Sequence, residues 1–358
     1  MKLILANPRG FCAGVHMAVD VVGILLDTCP EVPVYVYHEI VHNRHVVDRF
    51  VDRGAIFVES LEDVPHGSLV VFSAHGVSPA MRKLAESRGL ISVDATCPLV
   101  TKVHSEAIRY SRQGYQILLV GHKDHQEVIG TMGEAPDSTQ VVESAADIAN
   151  LKIIDPAKLV YLTQTTLSTD DAGVVIDALK TAFPLIKEPP GSDICYATTN
   201  RQAAVRQIAP ECDVVLVVGS RNSSNSVRLT EIAQNVGTKA FLLDDASEVH
   251  DEWFAGTPGE GRAATVLVTA GASAPEDLVA ELCRTLLSRF PSDDASRQGI
   301  EQRDIVSEDV EFGLPVALKR LMREKGIDPE GRRIRVGNYQ ITQTAYGAVP
   351  LTVSAKND

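Results

Sequence analysis

Long hydrophobic runs are missing from this 358-residue sequence, and no apolar stretch approaches the roughly 20 residues of a membrane-spanning helix. An excess of positive charge is missing too. The formal net charge is −13, whereas a nucleic-acid-binding surface needs concentrated Lys and Arg. The first residues, MKLILANPRG, lack the apolar core of a signal peptide. We therefore expect a cytoplasmic protein that binds neither a membrane nor nucleic acid.

Paired cysteines and standard nucleotide-binding motifs are also missing. No CxxC pair occurs among the six cysteines, although structural zinc sites usually draw their four ligands from such pairs. In a reducing compartment, cysteines are more typical of metal ligands, catalytic groups or core residues than of disulfides. The Gly/Ser-rich stretch VVGSRNSSNS comes with neither a GxGxxG motif nor a Walker lysine, so nucleotide binding has little support.

Short Val/Ile/Leu-rich runs alternate with segments of helical length along the chain. The runs include VPVYVYHEI, GSLVVFSAHGVS, YQILLVGHKDH, CDVVLVVGSRNSSNS and ATVLVTAGASAPE, and helical segments cover residues 81–89, 100–114, 170–183, 200–208 and 226–237. Strands buried on both faces have this composition, and the alternation indicates parallel α/β sheets. Since 358 residues exceed one ordinary core, we expect several small α/β modules.

Polar side chains follow one predicted strand after another. They are His42, His75, His125, Thr165, Ser223, Asn225 and Ser273. Ligands of open α/β sheets bind outside the carboxyl ends of the strands. Each residue taken alone is equally typical of a helix N-cap or a turn. Six such loops together indicate one shared binding site.

Three cysteines occupy similar positions. Cys12, Cys97 and Cys195 lie where predicted strands give way to helices, and they are separated by 85 and 98 residues. This spacing predicts one module over residues 1–96 with the N-terminal strand, a second over 97–194, a third over 195–290 and a C-terminal segment over 291–358. Each module would direct one cysteine at a common centre. The remaining cysteines, Cys29, Cys212 and Cys283, are expected to be inert.

Three convergent thiolates suit either of two centres. Structural zinc normally needs a fourth ligand, and a [4Fe–4S] cluster is normally held by four cysteines. A cluster on three cysteines would leave one iron free to bind a substrate oxygen as a Lewis acid. Spacing alone does not separate zinc from a cluster.

The chain resembles the 4-hydroxy-3-methylbut-2-enyl diphosphate reductase family, also called IspH or LytB. The motifs that carry the resemblance are ANPRGFCAGV, HEIVHNR, SAHGVS, DATCPLVTKVH, TQTTLS, DICYATTNRQ, VVGSRNSSNS and TAGASAPE, with a GH…H.E…GT run at 121–131. They occur in order from residue 2 to about residue 312. The resemblance implies a pseudo-threefold trefoil of α/β modules around a [4Fe–4S] cluster. It also implies the last step of non-mevalonate isoprenoid synthesis, in which an allylic hydroxyl is removed reductively to give isopentenyl and dimethylallyl diphosphates.

Residue roles follow from the same resemblance. Cys12, Cys97 and Cys195 would hold the cluster, and Glu127 with Thr165 would handle the substrate hydroxyl and its protons. The diphosphate would be held by His42, His75, His125, Ser223, Ser224, Asn225 and Ser273, with His125 and Thr165 close to the chemistry as well. Glu127 would protonate the departing hydroxyl, and protonation at either end of an allyl anion-like species would explain two products. Electrons would come from a ferredoxin or flavodoxin.

Two other functions remain open. A hydrolase or transferase could use Cys97 or Cys195 as the nucleophile and His75 or His125 as the base, but this explains only one cysteine. A specialised paralogue with an altered substrate is the second, because the chain has His16 and Met17 where the family usually has Asp-Arg. It also has Asp124 and Gln126 where Gly and Pro are usual. We expect Asp124 to disturb the turn next to His125 if that turn needs a positive φ.

The C-terminal forty residues lie beyond the resemblance. Residues 317–325 have the pattern of a short amphipathic helix that ends at Gly326. A basic block stands here in an acidic protein: Lys319, Arg320, Arg323, Lys325, Arg332, Arg333 and Arg335. This segment is either a solvated tail or a docking arm for an acidic electron carrier.

Overall fold

Four short strands form the first parallel sheet of the computed structural model, which describes residues 1–292 and 299–329 together with two backbone strands at 334–336 and 351–354. The strands are β2 (Val34–Tyr37), β3 (Ile56–Val58), β4 (Leu69–Phe72) and β5 (Ile91–Asp94), in the order β3-β2-β4-β5. They are linked by helices α2 (Arg44–Asp52) and α3 (Pro79–Ser87). In the central strand β4, Leu69 and Val71 are buried on one face and Val70 and Phe72 on the other, which explains its continuous apolar sequence.

The second parallel sheet has three strands. They are β6 (Gln116–Val120), β7 (Thr139–Val142) and β8 (Leu159–Thr163), in the order β7-β6-β8. Helices α4 (Pro98–Arg112), α5 (Gln126–Glu134) and α6 (Thr169–Ala182) cover its two faces through separate apolar clusters.

The third sheet contains six parallel strands in the order β10-β9-β11-β1-β12-β15. They are β1 (Lys2–Asn7), β9 (Val214–Val218), β10 (Lys239–Leu243), β11 (Thr265–Ala270), β12 (Gly299–Asp304) and β15 (Leu351–Ser354). One face packs on helix α9 (Glu276–Arg289), and the other packs on α7 (Tyr196–Ile208) and α8 (Ser224–Asn235). The prediction of several small parallel α/β sheets is thus confirmed.

The first strand differs from the predicted grouping. β1 pairs with β11 and β12, so the N-terminal strand belongs to the sheet of the third module and not to the sheet of residues 34–94. Helix α1 (Ala13–Thr28) then crosses to the first sheet, where Val21, Val22 and Leu25 are buried in its core. The chain segment that contains Cys12 therefore connects two sheets. The predicted module boundaries at 97 and 195 stay a prediction.

The C-terminal segment begins with a packed helix. Strands β13 (Val310–Phe312) and β14 (Ile334–Val336) form an antiparallel pair around helix α10 (Val316–Glu324). Leu318 and Met322 are fully buried against the core of the first sheet, and Gly326 has the positive φ of a helix terminus. The predicted amphipathic helix is confirmed, and its apolar face is not solvated. Arg332, Arg333 and the side chain of Arg335 lie outside the described residues.

No helix in the described part of the chain combines the length and the apolar character needed to cross a membrane.

Candidate active site

Each of the three cysteines predicted to converge is the N-cap of a helix. Cys12 precedes α1, Cys97 precedes α4 and Cys195 precedes α7, and all three side chains line one cavity of about 100 Å³. A single water needs only about 10–15 Å³ measured in this way. Helix N-termini favour negative charge, because their first amide groups have no partner within the helix. Three such termini therefore suit a centre held by thiolates.

A glycine allows two of these cysteines to approach each other. A Cβ placed on Gly14, in the first turn of α1, would lie 2.5 Å from Cys97 Sγ and 4.0 Å from Cys12 Sγ. Real Cβ contacts are essentially never shorter than 3.0 Å, so any larger residue would displace the Cys97 sulfur. This close approach explains why CAGV places a glycine two residues after Cys12.

Burial raises the pKa of all three thiols and so favours their protonated form in the protein without a bound metal centre. It raises the pKa of Cys12 and raises the pKa of Cys195 to about 11. For Cys97, burial and then the negative charge of Cys12 and Cys195 raise the pKa strongly. A nucleophilic cysteine needs the opposite environment, with a lowered pKa. The polar contacts of Cys195 Sγ come from Thr198 and not from an imidazole. The hydrolase alternative therefore loses its support.

Three histidines that line the same cavity form one cluster. The rings of His42 and His75 stack with centroids 4.0 Å apart, and the His125 ring lies 5.5 and 6.0 Å from them. Burial, followed by the charge of His42, lowers the pKa of His125 to about 4 and holds the pKa of His75 well below its usual value. An anion bound among the rings would reverse this effect, because it favours imidazolium.

The orientation of His125 presents a hydrogen-bond donor to the cavity. Its Nδ1 accepts a hydrogen bond from the Glu127 amide (3.2 Å), so the neutral ring carries its hydrogen on Nε2. Among the described residues, this buried Nε2 has no hydrogen-bond partner. A buried donor without a partner is costly, and a phosphate oxygen would satisfy it.

Hydroxyl and amide groups from the third sheet complete the polar wall. Ser223 is the N-cap of α8, and its Oγ accepts hydrogen bonds from Ser226 N and Ser226 Oγ. Its own hydrogen therefore remains to be donated. Ser273 Oγ lies 3.3 Å from Ser223 Oγ and donates to the His42 carbonyl (2.9 Å). Ser224 and Asn225 occupy the first turn of α8, where free amides also favour an anion.

Glu127 and Thr165 form a buried pair that also lines the cavity. Glu127 Oε1 accepts from Thr165 N (2.6 Å), and Glu127 Oε2 accepts from Thr165 Oγ1 (3.0 Å). Burial outweighs these two hydrogen bonds and raises the pKa of Glu127 to about 7. A carboxyl with this pKa holds a transferable proton near neutral pH.

The cavity thus brings together all twelve side chains that the sequence analysis selected. They are Cys12, His42, His75, Cys97, His125, Glu127, Thr165, Cys195, Ser223, Ser224, Asn225 and Ser273. Thr198 and Tyr196 also line the cavity, from the first turn of α7, and the sequence patterns did not single them out. Their place directly after Cys195 was the available signal. One detail also differs, since a loop and not a strand precedes Cys195. This loop is held next to the chain that follows β8, because Cys195 N donates to the carbonyl of Thr165, two residues after the end of the strand.

The four unusual residues keep this geometry intact. Asp124 is exposed and does not have a positive φ, so the turn before His125 has no need of glycine. Met17 is buried in the core of the first sheet, and the His16 ring packs edge-to-face on Phe11 with centroids 5.1 Å apart. Gln126 is the first residue of α5, where proline is also favoured.

The donor set fits an iron–sulfur centre. Thiolates are the ligands that such clusters prefer, and three helix N-termini face the space between the cysteines. Within residues 1–292 and 299–329, no group of three or more His, Cys, Asp or Glu side chains is arranged to hold a single metal ion.

Comparison with known proteins gives consistent matches over most of the chain. The family model described as LytB protein matches residues 3–287. A Rhodopirellula baltica protein named 4-hydroxy-3-methylbut-2-enyl diphosphate reductase is 50% identical over 325 residues, which cover 91% of this chain and 98% of that protein. A Pseudomonas aeruginosa protein of the same name is 51% identical over 323 residues, or 89% of this chain and 99% of the relative.

Two solved structures have the same overall architecture. The first is the E-1-hydroxy-2-methyl-but-2-enyl-4-diphosphate reductase from Plasmodium falciparum. It superposes with a TM-score of 0.84 at 38% identity and covers 91% of this chain and 99% of its own. The second is described as (E)-4-hydroxy-3-methyl-but-2-enyl diphosphate reductase, the terminal enzyme of the non-mevalonate pathway. It matches with a TM-score of 0.58 at 31% identity, over 80% of this chain and 99% of its own.

Proposed function

We propose, from the premise that this chain belongs to the LytB family, that it reduces 4-hydroxy-3-methylbut-2-enyl diphosphate to isopentenyl and dimethylallyl diphosphates. The reaction breaks the allylic C–O bond, consumes two electrons and two protons, and releases water. One observation carries the proposal: three cysteines, three histidines and the Glu127–Thr165 pair line a single cavity.

Cys12, Cys97 and Cys195 would hold a [4Fe–4S] cluster at the three helix N-termini. When bound, the cluster would supply the electrons and an open iron position for the substrate oxygen. Binding requires deprotonation of three thiols whose pKa values are raised, so assembly releases protons and depends on pH.

The diphosphate would lie between the histidine cluster and the N-terminus of α8. The His125 Nε2–H has a hydrogen to donate, the Ser223 hydroxyl would turn from Ser273 to a phosphate oxygen, and bound phosphate charge would protonate the neighbouring imidazoles. His42, His75, Ser224, Asn225 and Ser273 would complete the wall. This explains how a protein of net charge −13 binds a polyanion.

Glu127 would deliver the proton that the departing hydroxyl needs. The Glu127 carboxyl accepts from Thr165 N and from Thr165 Oγ1, and a proton on Oε2 would reverse the second hydrogen bond, so that Glu127 would donate to Thr165 Oγ1. The Thr165 hydroxyl is then free to donate towards the substrate. The pair would therefore form a short proton relay in the wall of the cavity.

A ferredoxin or flavodoxin would supply electrons by docking near α10. Arg320 and Arg323 are exposed on this helix, while Leu318 and Met322 anchor it to the core. Positive charge on an otherwise acidic protein would attract an acidic carrier and raise the encounter rate.

The experiment is an anaerobic product assay. Protein reconstituted with iron and sulfide, and reduced by a small chemical reductant, should convert the allylic diphosphate to both isomers. The Glu127→Gln variant should bind the same substrate and form little product. Release of inorganic phosphate or diphosphate without reduction would instead point to a hydrolase and would reject the proposal.

A further inference from the structure

Thr198 connects the wall of the cavity to one of the three cysteines. It lies in the first turn of α7, is 1% exposed and lines the cavity. Its Oγ1 is 3.1 Å from Cys195 Sγ, and its backbone amide donates to the same sulfur at 3.4 Å. The pattern of residue types did not single out this threonine.

Asn225 decides which way the Thr198 hydroxyl donates. The Asn225 Oδ1 accepts from the Ala272 amide (3.1 Å), which fixes the side-chain amide so that Nδ2 donates to Thr198 Oγ1 (3.4 Å). A hydroxyl has one hydrogen. Asn225 Nδ2 can only donate to this oxygen, and a Cys195 that ligates a cluster is a thiolate with no hydrogen of its own, so the Thr198 hydrogen is then directed at Cys195 Sγ.

We propose that Thr198 is a positioning residue that donates an O–H···S hydrogen bond to Cys195 and so makes the bound cluster easier to reduce. The inference rests on the proposed function, since it assumes that Cys195 is a cluster ligand. A hydrogen bond to a ligating sulfur stabilises the additional negative charge of the reduced form, and such bonds raise the reduction potential of iron–sulfur centres. The Asn225 amide is an essential part of this arrangement.

The test measures the reduction potential of the reconstituted protein, together with its iron content. Thr198→Val keeps the shape of the side chain and removes the hydroxyl, so the potential should fall while iron per chain stays at the wild-type level. Thr198→Ser restores the hydroxyl and should restore the potential. Thr199→Val is the matched control, because the Thr199 hydroxyl donates to the Tyr196 carbonyl (3.1 Å) and its loss should leave the potential unchanged.

A second variant changes the hydrogen-bond partner of Thr198 from a donor to an acceptor and keeps Thr198 itself. Asn225→Asp replaces the amide donor with an acceptor, which draws the Thr198 hydrogen away from Cys195. The potential should fall in this variant, and it should fall less when Thr198→Val is already present, because one part of the effect acts through the hydroxyl.

The possible results separate the inference from the proposed function. Full iron with equal potentials in the wild type, Thr198→Val and Thr199→Val would overturn the inference alone. The inference would also be overturned if Asn225→Asp lowered the reduction potential equally in the wild-type protein and in the Thr198→Val variant. A wild-type protein that binds no iron would reject the proposed function and this inference together.

Discussion

The raised pKa of Glu127 results from burial beside a single hydrogen-bonding neighbour. Its carboxyl is 2% exposed, and Thr165 provides both of its hydrogen bonds. Glu127 does not cap α5, because His125 occupies the N-cap position and accepts from the Glu127 amide. The side chain is thus available for proton transfer and is not required to terminate the helix.

The Glu127→Gln variant should lose at least about 10²-fold in turnover, because the amide has no transferable proton. Gln keeps the geometry, since its oxygen can accept from Thr165 N while Nε2 donates to Thr165 Oγ1. The wild-type rate should decline as pH rises through about 7, the pKa of Glu127, and the residual rate of the variant should lack this decline. Single-turnover reduction measured between pH 6 and 8.5 is the assay.

Melting curves provide the control for that prediction. The pKa of Glu127 is raised from 4.5 to about 7 in the folded protein, so its contribution to stability is fully present below about pH 4.5 and is lost as pH rises through about 7. Glu127→Gln removes this cost and should melt no lower than the wild type at pH 8. A variant that melts several degrees lower at pH 8 and keeps its rate would identify a purely structural residue.

Five helix N-termini converge on the cavity, which is the main feature at the level of secondary structure. Their N-caps are Cys12, Cys97, His125, Cys195 and Ser223. The sequence patterns left open whether such residues are caps or ligands. The geometry makes the two roles compatible, because an N-cap residue at the carboxyl end of a parallel sheet lies at the edge where ligands of such sheets bind.

Gly14→Ala tests the approach of α1 to Cys97. A methyl group 2.5 Å from Cys97 Sγ must displace that sulfur, so iron per chain should fall by at least half after reconstitution. Gly23→Ala on the same helix is the control, since its Cβ would meet Arg53 Nη1 at an ordinary 3.5 Å. The control should keep its iron and be stabilised by about 0.5–1 kcal/mol. Equal iron in both variants would show that Gly14 is not needed for the site.

Local patterns predicted the strands of the parallel sheets, the positions of the three cysteines at the starts of helices, and helix α10. Each of these features is encoded by residues close together in the chain. The position of β1 could not be predicted in this way. Its partner β11 lies some 260 residues away, and nothing in Lys2–Asn7 distinguishes the edge of one parallel sheet from another. The contact of Thr198 with Asn225 could not be predicted for the same reason, because it joins two different helices through tertiary packing.

At the scale of the whole molecule, charge on α10 would guide an acidic electron carrier. Deletion from residue 318 onwards is a poor test, because it removes the fully buried Leu318 and Met322. Reversing Arg320 and Arg323 to Glu leaves the core intact. The rate with a reduced ferredoxin or flavodoxin should fall several-fold at low salt and recover as salt is raised, while the rate with a small reductant stays unchanged.

The matched control changes Lys83 and Arg112 to Glu. These two residues are exposed on α3 and α4. The control alters net charge equally at another surface and should leave the carrier-driven rate near that of the wild type. Equal losses in the two double variants would show a general charge effect and no docking at α10.

Iron per chain in six Cys→Ser variants is the most direct test of the central claim, that three helix-capping cysteines jointly hold one cluster. The wild type should bind about four irons after anaerobic reconstitution. Changing Cys12, Cys97 or Cys195 should remove most of them, because a hydroxyl is a poor ligand in place of a soft thiolate. Cys29, Cys212 and Cys283 do not line the cavity, and their variants should keep nearly all of the iron. Equal loss of iron in both sets would contradict the account.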